Sequence, residues 1–511
     1  MRVIFRTDAS SQIGTGHFMR CLTLAEELKK QGADISFISR NLPIHLSDML
    51  NAKSIKLIPL SSDDADEPID ELAHASWLGI SQAEDAKATI EALFGEIFDW
   101  MIVDHYALDV RWESIVRPNF KKIMVIDDLA DRQHDCDILL DQNYYADMQT
   151  RYNGKVPSYC KLLLGPNYAL LREEFRVLRD QAKVRNGEVE KVLVFFGGVD
   201  ANNLTSKAIE ALAEVNTGLK VNVVIGAQHP FKELIENACE NYGYVCHVQT
   251  SYMAGLMAEA DLAIGAGGSA TWERCYLGLP TLTLCLAENQ LRQILDAAEI
   301  GVLYAPKMGN DLTNSLKFHI KALFANPALI KLISNASMKL IDGEGVFSII
   351  KELYSGLDDL MAAKNFEVRR ASHNDGIKVW PWRNNENTRK YFFNKSRLNF
   401  DEHIQWWNQS LADSNRLLLL GSLNNIDFGV IRFDFIDKDN VVASVYFNPI
   451  MAGKRLGRPM LIKSLTWLKD NYPEFKTVAA EIIPENVAST RLFESVGFKE
   501  AYKVFRLELS K

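Results

Sequence analysis

Hydrophobic positions follow two regimes along the chain. Up to residue 350, short apolar runs alternate with stretches whose apolar residues recur every three or four positions. The runs at 35–39, 100–103, 123–126 and 138–140 are too continuous for half-exposed strands and predict buried parallel ones. A strand over 2–7 precedes them. Residues 18–30 place Leu22, Ala25 and Leu28 on one face, which predicts an amphipathic helix ended at Gly32. A second series follows the charged segment 172–191. The run 192–196 ends in Gly197-Gly198, and 221–225 ends in Gly226. The run 261–264 enters Gly265-Ala266-Gly267-Gly268-Ser269, before a helix over 270–277 and a strand over 281–285. Such alternation predicts βαβ units in two doubly wound sheets. The glycines fall at strand carboxyl ends, where such sheets bind ligands, and two sheets in tandem imply a cleft between them.

Beyond a connector at 355–366 the pattern changes. Strands at 417–420, 428–435 and 441–447 are closely spaced, as in an antiparallel sheet. A helix over 457–470, a strand over 476–482 and a helix over 486–495 follow, and Trp380, Trp382, Trp406 and Trp407 cluster before them. The expected fold class is α/β, a pair of Rossmann-type domains over 1–165 and 166–355, followed by an α+β domain over 366–511.

Composition narrows the function. A 511-residue chain with 47% apolar and 24% charged residues is ordinary globular material, with room for about two to four domains. Its net charge of −9 argues against a nucleic-acid partner. The seven cysteines are odd in number, form no CxxC, and end at Cys285. That pattern fits reduced thiols better than a disulfide framework or a zinc site. The first eight residues lack a signal-peptide pattern, and no apolar run approaches the roughly 20 residues of a membrane span. The expectation is a soluble cytoplasmic protein with no membrane partner.

The strand over 2–7 runs into a glycine loop, with His17 where the loop becomes a helix. Gly14 and Gly16 permit a tight turn and close approach of a ligand, and an imidazole there titrates near neutrality. Around this loop a resemblance gathers. Gly14-Thr15-Gly16-His17-Phe18-Met19-Arg20, Val103-Asp104-His105-Tyr106, Ile126-Asp127-Asp128-Leu129 and Tyr168-Ala169-Leu170-Leu171-Arg172 occur in that order. Gly267-Gly268-Ser269-Ala270-Thr271-Trp272-Glu273-Arg274 and Leu286-Ala287-Glu288-Asn289-Gln290 complete the set. Over residues 1–350 the chain resembles the nucleotide-sugar hydrolases of pseudaminic acid biosynthesis, whose fold is similar to that of GT-B glycosyltransferases. The resemblance implies cleavage of UDP from a 2,4-diacetamido-2,4,6-trideoxy-altropyranose by water, with inversion at C1 and without a cofactor. His17 is then the base that activates water. Asp8 either orients the imidazole or is a strand-end aspartate.

The UDP group is expected against the second sheet. Gly267, Gly268 and Ser269 open a helix whose N–H groups suit a diphosphate. Glu273, one turn on, suits a ribose diol. Asn289 and Gln290 read as loop groups after a buried strand, with Glu288 beside them. Gly14, Gly16, Arg20, Tyr106 and Arg172 complete the expected substrate contacts, although such arginines often pair with carboxylates instead. Asp104, His105, Asp127 and Asp128 read as hydrogen-bonded loop termini, so no metal is expected. An alternative is a GT-B glycosyltransferase, which shares the cleft but uses an acceptor hydroxyl.

Residues 366–511 resemble the GNAT acetyltransferases. The match is carried by Asn486-Val487-Ala488-Ser489-Thr490-Arg491-Leu492-Phe493 through Gly497-Phe498, and by Trp382-Arg383-Asn384 with Arg389-Lys390-Tyr391. It implies acetyl-CoA as co-substrate, held by Gly453, Lys454, Gly457, Asn486 and Ser489, for N-acetylation of a 4-amino sugar nucleotide. Arg455 and Pro459 depart from the pyrophosphate-loop pattern, and Phe493 stands where relatives carry a tyrosine acid. Tyr446 or Tyr502 is left for that role, and a non-catalytic binding module is the alternative.

Overall fold

In the computed structural model the described residues are 1–10, 12–61, 70–215, 218–285, 288–355, 366–423, 426–451 and 456–501. They form two compact units: Met1–Lys29 with Asp34–Leu353, and Lys30–Ala33 with Tyr354–Lys511. The first unit contains two parallel sheets. Its amino-terminal sheet comprises β1 (Arg2–Thr7), β2 (Asp34–Ser39), β3 (Lys56–Pro59), β4 (Phe98–Asp104), β5 (Phe120–Ile126), β6 (Ile138–Asp141) and β7 (Lys161–Leu164). Their order is β3-β2-β1-β4-β5-β6-β7, so the winding reverses between β1 and β4. Ligands of doubly wound sheets bind at such reversals.

The second sheet repeats the plan with β8 (Lys191–Phe195), β9 (Lys220–Ile225), β10 (Val245–Val248), β11 (Leu262–Ala266) and β12 (Thr281–Leu284). Its order is β10-β9-β8-β11-β12, with the reversal between β8 and β11. Each central strand is apolar because both faces are covered. Val192, Val194, Val223 and Ile264 pack on one side, and Leu193, Val224 and Ala263 on the other. Three strands escape the apolar-run signal: β3, β7 and β10. All are sheet edges with mostly exposed or half-buried residues, so nothing requires a continuous apolar run there.

The second unit has β13 (Phe366–Arg370), β14 (Arg416–Leu423), β15 (Ile426–Phe435), β16 (Asn440–Phe447) and β17 (Thr477–Ala480) in sequential order. The expected antiparallel pairing holds from β14 to β16; β13, a strand the sequence pattern does not predict, pairs antiparallel with β14, and β17 lies parallel to β16. The helix Gly457–Asn471 between them is the crossover that a parallel pair needs. Val379, Trp382 and Trp407 pack on Leu418, Leu420 and Val430, which explains the tryptophan cluster as core. Among the described residues, no helix is long and apolar enough to cross a membrane.

The loops after β8 and β9 meet backbone to backbone. A Cβ added at Gly226 would lie 2.3 Å from the carbonyl oxygen of Gly198. Gly226→Ala should therefore lower stability by about 1–3 kcal/mol, read as a lower urea midpoint at unchanged m-value.

Candidate active site

The chain leaves β1 through a turn in which the Gly14 N–H donates to the Ser10 carbonyl at 2.8 Å. Gly14 has φ +78°, a left-handed conformation that a side chain would strain. Ideal Cβ atoms at Gly14 and Gly16 would meet nothing within 4 Å. His17 lies in the first turn of the helix Gly16–Lys30, with Arg20 three residues on and hence on the same face. Both reach Asp104, the last residue of β4, across the reversal of the first sheet. His17 Nδ1 is 2.5 Å from Asp104 Oδ1. Arg20 donates through Nη2 to the same oxygen at 2.7 Å and through Nε to Oδ2 at 2.6 Å.

Asp104 is wholly buried, which favours the neutral acid, yet Arg20 and His17 outweigh burial and hold its carboxyl well below the usual range. An anionic Asp104 accepts from Nδ1–H and so selects the tautomer whose lone pair is on Nε2. Nε2 has no hydrogen-bond partner among the described residues. The Tyr106 ring meets the imidazole edge-on at 4.5 Å, and Trp77, stacked on Tyr106 and flanked by His74, closes an aromatic wall. The residue that orients His17 is thus Asp104 and not Asp8. Asp8 Oδ1 accepts from Arg6 at 2.7 Å, from the Ser39 hydroxyl at 2.8 Å and from the Arg40 N–H at 2.8 Å. Its Oδ2 stands 3.2 Å from His105 Nε2. Asp8 belongs to a buried network with Arg6, Arg40 and Asp85.

Asp128 extends the array. Its Oδ2 accepts from Arg20 Nη1 at 2.9 Å and from Asn143 Nδ2 at 3.1 Å, and Oδ1 accepts from the Tyr106 hydroxyl. Asp127 pairs with Arg132 at 2.9 Å and accepts from the Ala130 N–H. Nε, Nη1 and Nη2 of Arg20 all reach Asp104 or Asp128, so this arginine braces the carboxylates, one of the two roles open to it from the sequence. Neither Asn143 nor the Trp77 wall carries a motif-level signal. The spacing of His17 and Arg20, two cationic or basic groups on one helix face, is the local clue to a shared carboxylate.

Across the cleft, Ser269 is exposed at the start of the helix Ala270–Tyr276, and Gly268 has φ +94°. The Gln290 amide lies against this loop, within 3.8 Å of where a Gly268 Cβ would be, and its buried Oε1 has no hydrogen-bond partner among the described residues. Residues 288–290 form the first turn of the helix Glu288–Glu299, not a loop. The side chains of Glu288 and Asn289, and residues 286–287, lie outside the described residues. Arg172 and Glu273 hold one another through a forked contact at 2.8 and 3.2 Å. Met19, Arg20 and Thr23 on one side and Arg172, Ser269, Trp272 and Glu273 on the other line one cavity.

In the second unit, Gly457 opens its helix close to Leu492, which would lie 3.1 Å from an added Cβ. Asn486 caps the helix Val487–Glu494 by accepting from the Ser489 N–H at 3.1 Å, so the two expected CoA contacts are engaged with each other. Phe493 is buried against Phe498. Tyr446 is a β16 residue whose phenol burial pushes upward, and Phe392 packs edge-on against it. Gly453, Lys454, Arg455 and Tyr502 lie outside the described residues.

Two tandem Rossmann-type sheets, each with its reversal point, define a GT-B-type architecture. Residues 191–326 match the glycosyltransferase family 28 C-terminal domain, and residues 358–499 match the acetyltransferase (GNAT) domain. The chain is 30% identical over 292 residues to the UDP-2,4-diacetamido-2,4,6-trideoxy-beta-L-altropyranose hydrolase of Campylobacter jejuni, spanning 57% of this chain and 93% of that one. It belongs to the family of that hydrolase. An uncharacterized protein of Methanocaldococcus jannaschii is 25% identical over 515 residues, 98% of each chain. Among solved structures, the glycotransferase of kitacinnamycin is 14% identical with a TM-score of 0.49, over 70% of this chain and 99% of that one.

Asp141, at the end of β6, offers a test of the array's electrostatics. Burial, and then the charge of Asp128, push its carboxyl up to about 8 despite Arg151 at 2.7 Å. The unfolded chain loses this proton near an ordinary value of about 3.9, so the native state binds the extra proton between these limits. The resulting stability is present below the unfolded value and is lost as pH rises toward 8. Urea midpoints from pH 5 to 8 should therefore fall more steeply for the wild type than for Asp141→Asn, by up to about 1 kcal/mol per pH unit.

Proposed function

We propose that the first unit hydrolyses a UDP-2,4-diacetamido-2,4,6-trideoxy-altropyranose at C1, as the resemblance to the Campylobacter hydrolase suggests. The observation that carries this reading is the His17–Asp104 pair, with an open Nε2 at the reversal point of the first sheet. Nε2 takes a proton from water as the water oxygen bonds to C1 from the face opposite UDP. The C1–O bond to the β-phosphate breaks, UDP leaves with the electron pair, and the configuration inverts. Asp104 stabilises the imidazolium that forms, as the carboxylate of an acid–base triad does. The Gly267–Ser269 loop and Gln290 receive the diphosphate, and the Tyr106–Trp77 wall borders the sugar. Arg172 and Glu273 exchange part of their mutual pairing for contacts to UDP.

The second unit, in this reading, transfers acetyl from acetyl-CoA to the amine of a 4-amino sugar nucleotide. The amine attacks the thioester carbonyl, and CoA leaves as the thiol while the amine loses its proton. The GNAT match supports it. One chain would then carry two chemically consecutive steps: acylation of the nucleotide sugar and its release from UDP.

His17→Asn should lower hydrolytic kcat by about 10²–10⁴-fold, the usual worth of a general base, while UDP affinity by calorimetry stays within about threefold. The wild type should yield free sugar and UDP in equal amounts with no acceptor present; an absolute need for an acceptor hydroxyl identifies a glycosyltransferase instead. Acetyl-CoA should bind the intact chain saturably in calorimetry, and a flat titration removes the acetyl-transfer reading.

A further inference from the structure

Asn143, two residues beyond β6, is buried between the two sheets of the first unit. Its Oδ1 accepts from Trp272 Nε1 at 2.8 Å and from Gln293 Nε2 at 3.0 Å. An indole N–H only donates, so the amide oxygen must face Trp272 and the Nδ2 must face Asp128, to which it donates at 3.1 Å. Both donors come from the nucleotide side of the cleft. Trp272 lies in the helix that Gly267–Ser269 opens, and Gln293 is three residues beyond Gln290 on the next helix. On the other side the oxygen of Asp128 that receives Asn143 also receives Arg20 Nη1, at 2.9 Å. Arg20 grips Asp104, and Asp104 holds His17 Nδ1.

We propose that Asn143 is a positioning residue that ties occupancy of the nucleotide side to the placement of the His17 imidazole. Trp272, Asn143, Asp128, Arg20, Asp104 and His17 form one unbroken series of buried polar contacts. Each step after Asn143 involves a charged group, whose hydrogen bonds are stronger and more directional than those between neutral groups. Asn143 alone in this series is an uncharged side chain with a donor to one half and an acceptor for the other. Apolar contact would seal the same interface but would not transmit direction. A diphosphate that shifts the helix following Ser269 moves Trp272, and one that shifts Gln290 moves Gln293 on the same helix. Asn143 carries that shift to Asp128 and so to the guanidinium that fixes Asp104. The inference rests on the reading of the cleft as a UDP-sugar hydrolase site.

The test compares wild type with Asn143→Leu, which keeps a similar size and loses both polar groups, and with the milder Trp272→Phe. His-selective labelling follows the His17 imidazole resonances, assigned through His17→Asn, as UDP is added. In wild type UDP should shift them; in both variants the shift should fall at least threefold while UDP affinity by calorimetry stays within threefold. With the UDP-sugar, kcat should fall at least tenfold in Asn143→Leu at little-changed KM. An unchanged UDP-induced shift overturns the proposal, as does unchanged kcat. A parallel loss of UDP affinity in both variants shows a merely structural role and also overturns it. If Asn143→Leu does not fold, Trp272→Phe decides alone. A wild type that binds UDP and shifts His17 but releases no sugar refutes the hydrolase reading and leaves the relay standing; a wild type that does not bind UDP refutes both.

Discussion

The buried carboxylate of Asp104 is the point on which the first unit's chemistry turns. It sits at the end of a central strand, beside the reversal of the sheet, and takes three contacts from one helix face: Nδ1 of His17 and two nitrogens of Arg20. A lone carboxylate in that position would be too costly to keep ionised. Arg20 makes the anion tenable, the anion fixes the imidazole tautomer, and that tautomer carries its lone pair on Nε2. Removing Asp104 or Arg20 leaves the other with a buried, unmatched charge. The helix Gly16–Lys30 is accordingly held at its start by chemistry as much as by its apolar face.

The same logic runs along the sheet. Asp8, Asp104, Asp127 and Asp141 follow or end β1, β4, β5 and β6, each with an arginine of its own: Arg6, Arg20, Arg132 and Arg151. Parallel sheets bring strand carboxyl ends to one edge, and this chain lines that edge with acid–arginine pairs where many folds use glycine loops alone. The second sheet takes the other course. Its carboxyl edge carries Gly197-Gly198, Gly226 and Gly267-Gly268; Gly226 lies close against the Gly198 backbone, and the side chains of Ile294 and Gln290 lie over Gly267-Gly268. One half thus presents acid–arginine pairs at its carboxyl edge, and the other presents glycine loops.

Much of this architecture is legible in the sequence. Central strands announce themselves because both faces are buried, and β1, β2, β4, β8, β9 and β11 were readable for that reason. The edge strands β3, β7 and β10 were not, since half-exposed residues carry no such pattern. His17 could be found from its loop, but its partner could not: Asp104 is 87 residues away, while Asp8 lies close in sequence and belongs to a different network. Asn289 and Gln290 looked like loop residues because they follow a buried strand; the chain turns into a helix sooner than that pattern implies. Asn143 had no signature at all, because its importance lies in what two distant helices bring to it.

The pairing of every carboxylate on the first sheet's edge has a consequence for how the site responds to its surroundings. Surface ion pairs weaken as dissolved salt gathers around them, but groups this deeply enclosed are screened far less. Their dipoles are oriented when the chain folds, so little reorganisation remains for the moment when charge develops on the imidazole. The geometry around His17 should accordingly be indifferent to ionic strength, and salt sensitivity in the intact protein would be traced to the open, glycine-lined side of the cleft.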